Sequence, residues 1–320
     1  MKTLLPLLFL SLTVSFTLHP ASAAPETKPL RVVTTTPDLA WFVEEIGGDR
    51  VDVSSLAQGK ENLHALKVTP RTIVAVAKAD LLFENGLSLE STWLPDLILA
   101  SRNKGLSFES GGRVNASEGW APIELPSTLS REEGDVHPGG NPHFAISPEA
   151  GSFLADRVLA GLLAKDPADT KLFEANHTSL QARIAKAHQR WERYKPLFAH
   201  QRVVMYHLEF DYLADFLGLE ILASIEPKPG LPPTPSHLAK VIELMGTDNV
   251  PPILVATWSN NRQAKAIAEK TGATLLELPS MVHGEPYATG WVEMIDGMLE
   301  AVRVAYGLPE LAPEEEAPGQ

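Results

Sequence analysis

From about residue 30 onward the chain alternates between two hydrophobic patterns. Short runs rich in β-branched and other apolar residues occur at 31–35, 51–56, 80–85, 202–206, 253–257 and 274–278, and read as strands. Between them lie segments whose apolar positions recur at helical spacing. Four helix starts share one signal, a hydroxyl residue followed by proline: Thr36 with Pro37, Thr69 with Pro70, Ser147 with Pro148 and Thr234 with Pro235. The hydroxyl caps an amide that the first turn leaves unpaired, and proline suits the first helical position. Gly47, Gly246 and Gly272 fall where helix C-caps are expected. Strands alternating with helices predict an α/β fold of mainly parallel sheets flanked by helices.

One segment breaks this rhythm. Over 168–198, Leu180, Ile184, Ala187, Trp191, Tyr194 and Phe198 are spaced alternately four and three residues apart. That predicts one amphipathic helix of about 30 residues, about 45 Å long. Such a helix is too long for one small lobe, so it reads as a rigid link between an N-terminal lobe, 24–167, and a C-terminal lobe, 199–308. A ligand site is then expected in the cleft between them. A long helix packed on a single larger domain is the alternative; the length of 320 residues favours two domains.

The ends look different. Lys2, an apolar run over 4–18 and the small residues Ala21, Ser22 and Ala23 form an export signal, 1–23, with a cleavage site. Pro6 and four hydroxyl residues interrupt the run, so it is not expected to span a bilayer. Residues 309–320, with three consecutive glutamates between prolines, read as a disordered acidic tail. The chain has no cysteine, which excludes disulfides, zinc fingers, iron–sulfur clusters, thiol nucleophiles and a lipoprotein's acylated cysteine. Any metal must be held by nitrogen and oxygen. A net charge of −13, without a long basic run, argues against a nucleic-acid partner.

Among ten histidines, three follow or flank strands. His207 comes directly after the strand at 202–206, and His64 lies in the loop after 51–56. His143 sits in a Gly139-Gly140-Asn141 loop four residues ahead of Ser147. Ligands of open α/β sheets collect at the carboxyl ends of strands. Three imidazoles reaching one cleft from both lobes would make a nitrogen-rich metal site. A fourth ligand is expected from the loop after 274–278, where Glu277 and His283 are the candidates and Glu285 stands behind them. His137, six residues from His143, also stays open. His177, His188 and His200 read as polar surface of the long helix, His237 as a first-turn residue, and the proline-rich run 226–235 as a stiff surface loop. No phosphate loop, GxGxxG, GxSxG or HExxH occurs.

At these residues the chain resembles the periplasmic zinc- and manganese-binding proteins of metal-uptake ABC transporters, the high-affinity zinc-uptake binding-protein family. The resemblance rests on Asn62, Leu63 and His64 with Val68, Thr69 and Pro70; on Ala79, Asp80 and Asn85 to Leu87; and on Gly140 to Phe144. It continues through Tyr206, His207, Phe210, Tyr212 and Gly218 and the stretch from Glu226 to His237. It implies two α/β lobes joined by a long helix, with the metal between them. His64 and His143 match the family's N-lobe ligands and His207 its C-lobe histidine. The family's fourth ligand falls around Glu277, with His283 as substitute.

The expectation is an exported, monomeric solute-binding protein and not an enzyme. It captures a divalent transition metal and delivers it in the periplasm to a membrane permease with a separate ATPase. Zn²⁺ is favoured as the cargo over Mn²⁺, because Mn²⁺ prefers more oxygen than three imidazoles leave room for. The alternatives are a secreted zinc-dependent hydrolase and a binding protein for a small organic solute.

Overall fold

The computed structural model describes residues 28–126, 137–228 and 230–312. The export signal at 1–23 and all but the first residues of the acidic tail lie outside them.

The described residues form two four-stranded parallel sheets. In the first, β1 (Leu30–Thr34), β2 (Val51–Ser55), β3 (Leu81–Glu84) and β4 (Arg113–Asn115) are ordered β2-β1-β3-β4. In the second, β5 (Arg202–Met205), β6 (Glu220–Ser224), β7 (Ile253–Ala256) and β8 (Leu275–Leu278) are ordered β6-β5-β7-β8. Counted within each sheet, the two orders are the same. Each predicted run supplies a strand; β4 and β6 were not predicted. Both are edge strands with no fully buried residue, so their sequences lack the apolar run a central strand needs.

Thr36, Thr69 and Thr234 cap α1 (Pro37–Gly47), α2 (Pro70–Lys78) and α7 (Pro235–Met245), each hydroxyl accepting from an amide three residues on. α3 (Leu94–Ser101) packs on α2. Ser147 behaves differently. Its hydroxyl accepts from Glu149 N at 3.2 Å in a turn, and α4 (Ala150–Lys165) begins only after it. The C-cap of α1 is Gly48 (φ +53°), one residue beyond Gly47.

The long helix is shorter than its pattern suggested. α5 (Thr170–Glu192) has 23 residues, about 35 Å, and 3-10 turns at Pro167–Asp169 and Lys195–Phe198 finish it at both ends. Pro196 lacks the N–H that would continue the ladder. Leu180, Ile184, Ala187 and Trp191 are buried as their spacing required. Instead of standing free between the lobes, α5 packs on α1 and α4 of the first and on α9 (Trp291–Ala305), which follows the second sheet. The remaining helices, α6 (Asp211–Leu217) and α8 (Arg262–Thr271), complete the second lobe.

One core runs through both lobes. At its centre Trp291 opens α9, fully buried, with Phe42 of α1 at 5.5 Å and Trp191 of α5 at 5.7 Å between ring centroids. Gly151 of α4 lies under this ring, where a Cβ would come within 2.5 Å of it. The Trp291 indole N–H donates to Ala145 O at 2.7 Å. Asp296, one turn on, accepts from Arg190 at 2.7 and 2.8 Å and from Trp191 Nε1 at 2.6 Å.

A second tie between the lobes is titratable. Asp38, buried in the first turn of α1, accepts from Val282 N at 3.3 Å across the cleft. Burial pushes its carboxyl pKa up to about 7. The native state therefore holds a proton that the unfolded chain releases near 3.8, and this contribution is lost as pH rises through about 7. Asp38→Asn should gain stability relative to the parent as pH goes from 5 to 8, measured by denaturant unfolding at each pH. A difference independent of pH would show that Asp38 is ionised throughout.

Candidate metal centre

Three loops at the lobe boundary carry the three histidines. His64 lies in a 3-10 turn, Leu63–Ala65, between β2 and α2. Asn62 caps that turn by accepting from His64 N at 2.9 Å, and Trp93 Nε1 donates to Leu63 O at 2.8 Å. His143 lies between β4 and α4. Its N–H donates to Asn141 Oδ1 at 2.9 Å, and the Asn141 amide group donates across the cleft to Leu208 O at 2.8 Å. Tyr212 of α6 donates its hydroxyl to Asn141 O at 2.8 Å. His207 follows β5, two residues past the strand. The loop of His143 is thus bolted to the loop of His207.

The structure brings these three rings together. His64 Nε2 and His143 Nε2 are 3.2 Å apart, and one ring nitrogen from each of the three histidines lies within 4.8 Å of the others. A tetrahedral ion with Zn–N bonds of about 2.0–2.1 Å separates its ligand nitrogens by about 3.3 Å. The His64–His143 pair already has that spacing.

Two carboxylates stand behind the rings. Glu226 Oε2 is 2.6 Å from His207 Nδ1, and Glu209 Oε1 is 3.9 Å from His143 Nδ1. Both therefore face the Nδ1 edges, and the hydrogen bond to Glu226 fixes the His207 tautomer that leaves Nε2 free to coordinate. Glu209 is itself held by Trp258 Nε1, at 2.9 and 3.1 Å. A cleft of about 220 Å³ opens beside His64 and His207, with Tyr206, Trp258 and Asn260 in its walls.

Burial, then the neighbouring His207 and His137, push the His64 pKa down to about 3. Burial and the surrounding imidazoles push His143 well down too. Both rings are neutral at neutral pH, the form that offers a lone pair to a cation.

The fourth-ligand candidates are not brought to this cluster. Glu277 is exposed on β8, because side chains alternate along a strand and its neighbour Leu278 takes the inward position. Its carboxylate accepts from Asn261 Nδ2. His283 is exposed at φ +66°, and Glu285 pairs with Lys60 at 3.0 Å. His137 does come close, its ring centroid 5.1 Å from that of His64. His177 pairs with Asp156, and His237 meets Ser224 O. His188, with Glu149 and Glu192, forms a second group, but Lys195 Nζ sits 2.7 Å from Glu192 Oε1 and neutralises it.

Sequence reasoning missed Glu226, Glu209, Trp258 and the bracing role of Asn141. Glu226 was read as part of a stiff loop because β6, the strand it follows, went unrecognised. The signal available was position: Glu226, like His207 and Trp258, stands two residues past a strand's carboxyl end.

Two α/β lobes with buried ligand-type side chains at the closure of their cleft define a bilobal substrate-binding protein. Residues 32–305 match the family described as ZnuA, zinc-uptake complex component A, periplasmic, and the chain belongs to it. Proteins of this family are substrate-binding components of metal ABC transporters, not enzymes, and the hydrolase alternative falls away. The manganese ABC transporter substrate-binding lipoprotein PsaA of Streptococcus anginosus is 24% identical over 279 residues, 85% of this chain and 87% of its own. The iron-binding protein YfeA of Yersinia pestis is 24% identical over 285 residues, 88% of this chain and 87% of its own. A crystal structure of ZnuA shares the fold with a TM-score of 0.74 at 22% identity, covering 87% of this chain and 100% of that one.

The depressed pKa is directly measurable. In imidazole nitrogen NMR of the metal-free protein, His64 should keep its neutral signature from pH 8 down to pH 5. A His64 midpoint near 6.5 would mean that water reaches the ring freely.

Proposed function

We propose that this chain, a substrate-binding protein of a metal ABC transporter, takes Zn²⁺ as its cargo. His64, His143 and His207 are the ligands, and the loaded protein delivers the ion to a membrane permease driven by a separate ATPase. The observation that carries this reading is the convergence of three imidazoles from both lobes, His143 and His207 buried and His64 half-buried, with His64 and His143 held neutral and no carboxylate among the ligand atoms that meet. Neutral nitrogen suits Zn²⁺, whereas Mn²⁺ favours carboxylate and carbonyl oxygen. PsaA and YfeA, relatives at 24% identity, are named for manganese and iron, so the donor set of this chain and not its ancestry supports zinc.

The same convergence ties cargo to lobe geometry. His64 and His143 come from the first lobe and His207 from the second, so an ion bound by all three stabilises the closed arrangement by mass action. An exported, periplasmic location agrees with the charged and apolar start of the chain. Among the described residues, no helix is long and apolar enough to cross a membrane.

Metal-stripped protein should bind one Zn²⁺ per chain and retain it against excess Mn²⁺ in competition titration. His143→Ala should weaken Zn²⁺ by more than the roughly 10–100-fold that partners outside the coordination sphere control. Equal or tighter binding of Mn²⁺, or Zn²⁺ binding indifferent to His143, would overturn the reading.

Glu226→Gln isolates the carboxylate behind His207. It should leave one-to-one binding intact and lower Zn²⁺ affinity about 10–100-fold, with melting of the metal-free protein little changed. An unchanged affinity would leave Glu226 a purely structural partner.

A further inference from the structure

Three imidazoles leave one position of a tetrahedral ion unfilled, and the carboxylates nearby are badly placed to fill it. Glu226 and Glu209 lie at the Nδ1 edges of His207 and His143, behind rings whose Nε2 atoms serve the centre. Glu277 and His283 are exposed and absent from the cluster. A fourth ring, that of His137, lies outside the group of three but directly beside His64.

Imidazoles that share one tetrahedral ion through Nε2 have ring centroids about 5 Å apart, given Zn–N bonds of about 2.0–2.1 Å and the size of the ring. The three clustered histidines approach that figure pair by pair, at 5.1, 5.4 and 5.5 Å. The His64–His137 pair stands at 5.1 Å, with planes 35° apart. The backbone explains why His137 is there. Gly140 N donates to His137 O at 3.0 Å, closing a turn, and Asn141 N donates to Ile123 O at 2.9 Å, anchoring it. Gly140 holds φ at +95°, and a Cβ there would come within 2.8 Å of Ile123 O. This turn returns the chain so that His137, six residues before His143, comes beside His64.

We propose that His137 is the fourth ligand, its side chain rotating from beside His64 onto the ion when metal enters. The proposal rests on the reading of His64, His143 and His207 as ligands and extends it. The shell would hold four neutral nitrogens and no anion, which disfavours Mn²⁺ further than three nitrogens do. Glu209 and Glu226 would then balance the ion's charge from outside the shell.

X-ray absorption of the Zn²⁺-loaded protein, with Zn²⁺ titrations of the parent, His137→Ala and His137→Gln, tests this. The parent should show scattering from four imidazoles and both variants three, with a loss of affinity of at least 10–100-fold and a larger share of Mn²⁺ in competition. Melting of the metal-free variants should match the parent, separating ligand loss from misfolding. Three imidazoles in the parent, with variants that bind as tightly, would overturn the role of His137 and leave the three-histidine reading standing. A parent that takes up no zinc would sink both.

Discussion

The two lobes that carry the candidate metal centre are packed together around one buried ring. Trp291 starts the last helix of the second lobe, yet its neighbours are Phe42 and Gly151 of the first lobe and Trp191 of the helix between them. A side chain of this size, wholly removed from water, contributes more than a surface contact between lobes could. Its indole N–H also has one partner, Ala145 O, two residues past His143. The ring that joins the lobes therefore also fixes the backbone of a candidate ligand. Without Gly151 the ring would not fit, so a missing side chain on α4 is part of the same joint.

The centre itself is a balance of buried charge. Burial makes the His64 and His143 rings prefer to be neutral, and repulsion from the neighbouring imidazoles when protonated strengthens that preference. Acidic groups are close by but held at the outer edges of the rings, where Glu226 fixes the orientation of His207 and Glu209 stands 3.9 Å from His143. The tryptophan indole that binds Glu209 and the asparagine that crosses from the His143 loop to Leu208 O serve the same end, fixing side chains before any ion arrives. A site built this way loses little entropy when it closes on a cation.

Much of this could be read from the chain alone, for identifiable reasons. The six strands found in advance carry apolar or β-branched runs, the edge strands β2 and β8 among them, and three of the four hydroxyl-proline starts cap helices through local hydrogen bonds. His64, His143 and His207 stood out because strand ends are where parallel sheets gather ligands. What escaped depended on distant contacts. β4 and β6 are edges whose identity comes from pairing with β3 and β5 and not from their own residues. Glu226 was hidden with β6. Glu277 looked suitable by its place near the end of a run, but the alternation of side chains along β8 sends it outward. The long helix was overestimated because apolar spacing persists through Phe198 although the hydrogen-bond ladder stops at Glu192.

The place of Trp291 in the chain also has a meaning in time. A polypeptide made from its N-terminus contains His64, His143 and His207 long before it contains the wedge that sets them in register. Each sheet can form from strands close in sequence, so two half-built lobes and all three imidazoles exist while the joint is still missing. The last helix adds the ring that packs the two against each other. A chain cut short before α9 would keep the candidate ligands and the hydrogen bonds between their loops but lack the ring that packs the lobes together.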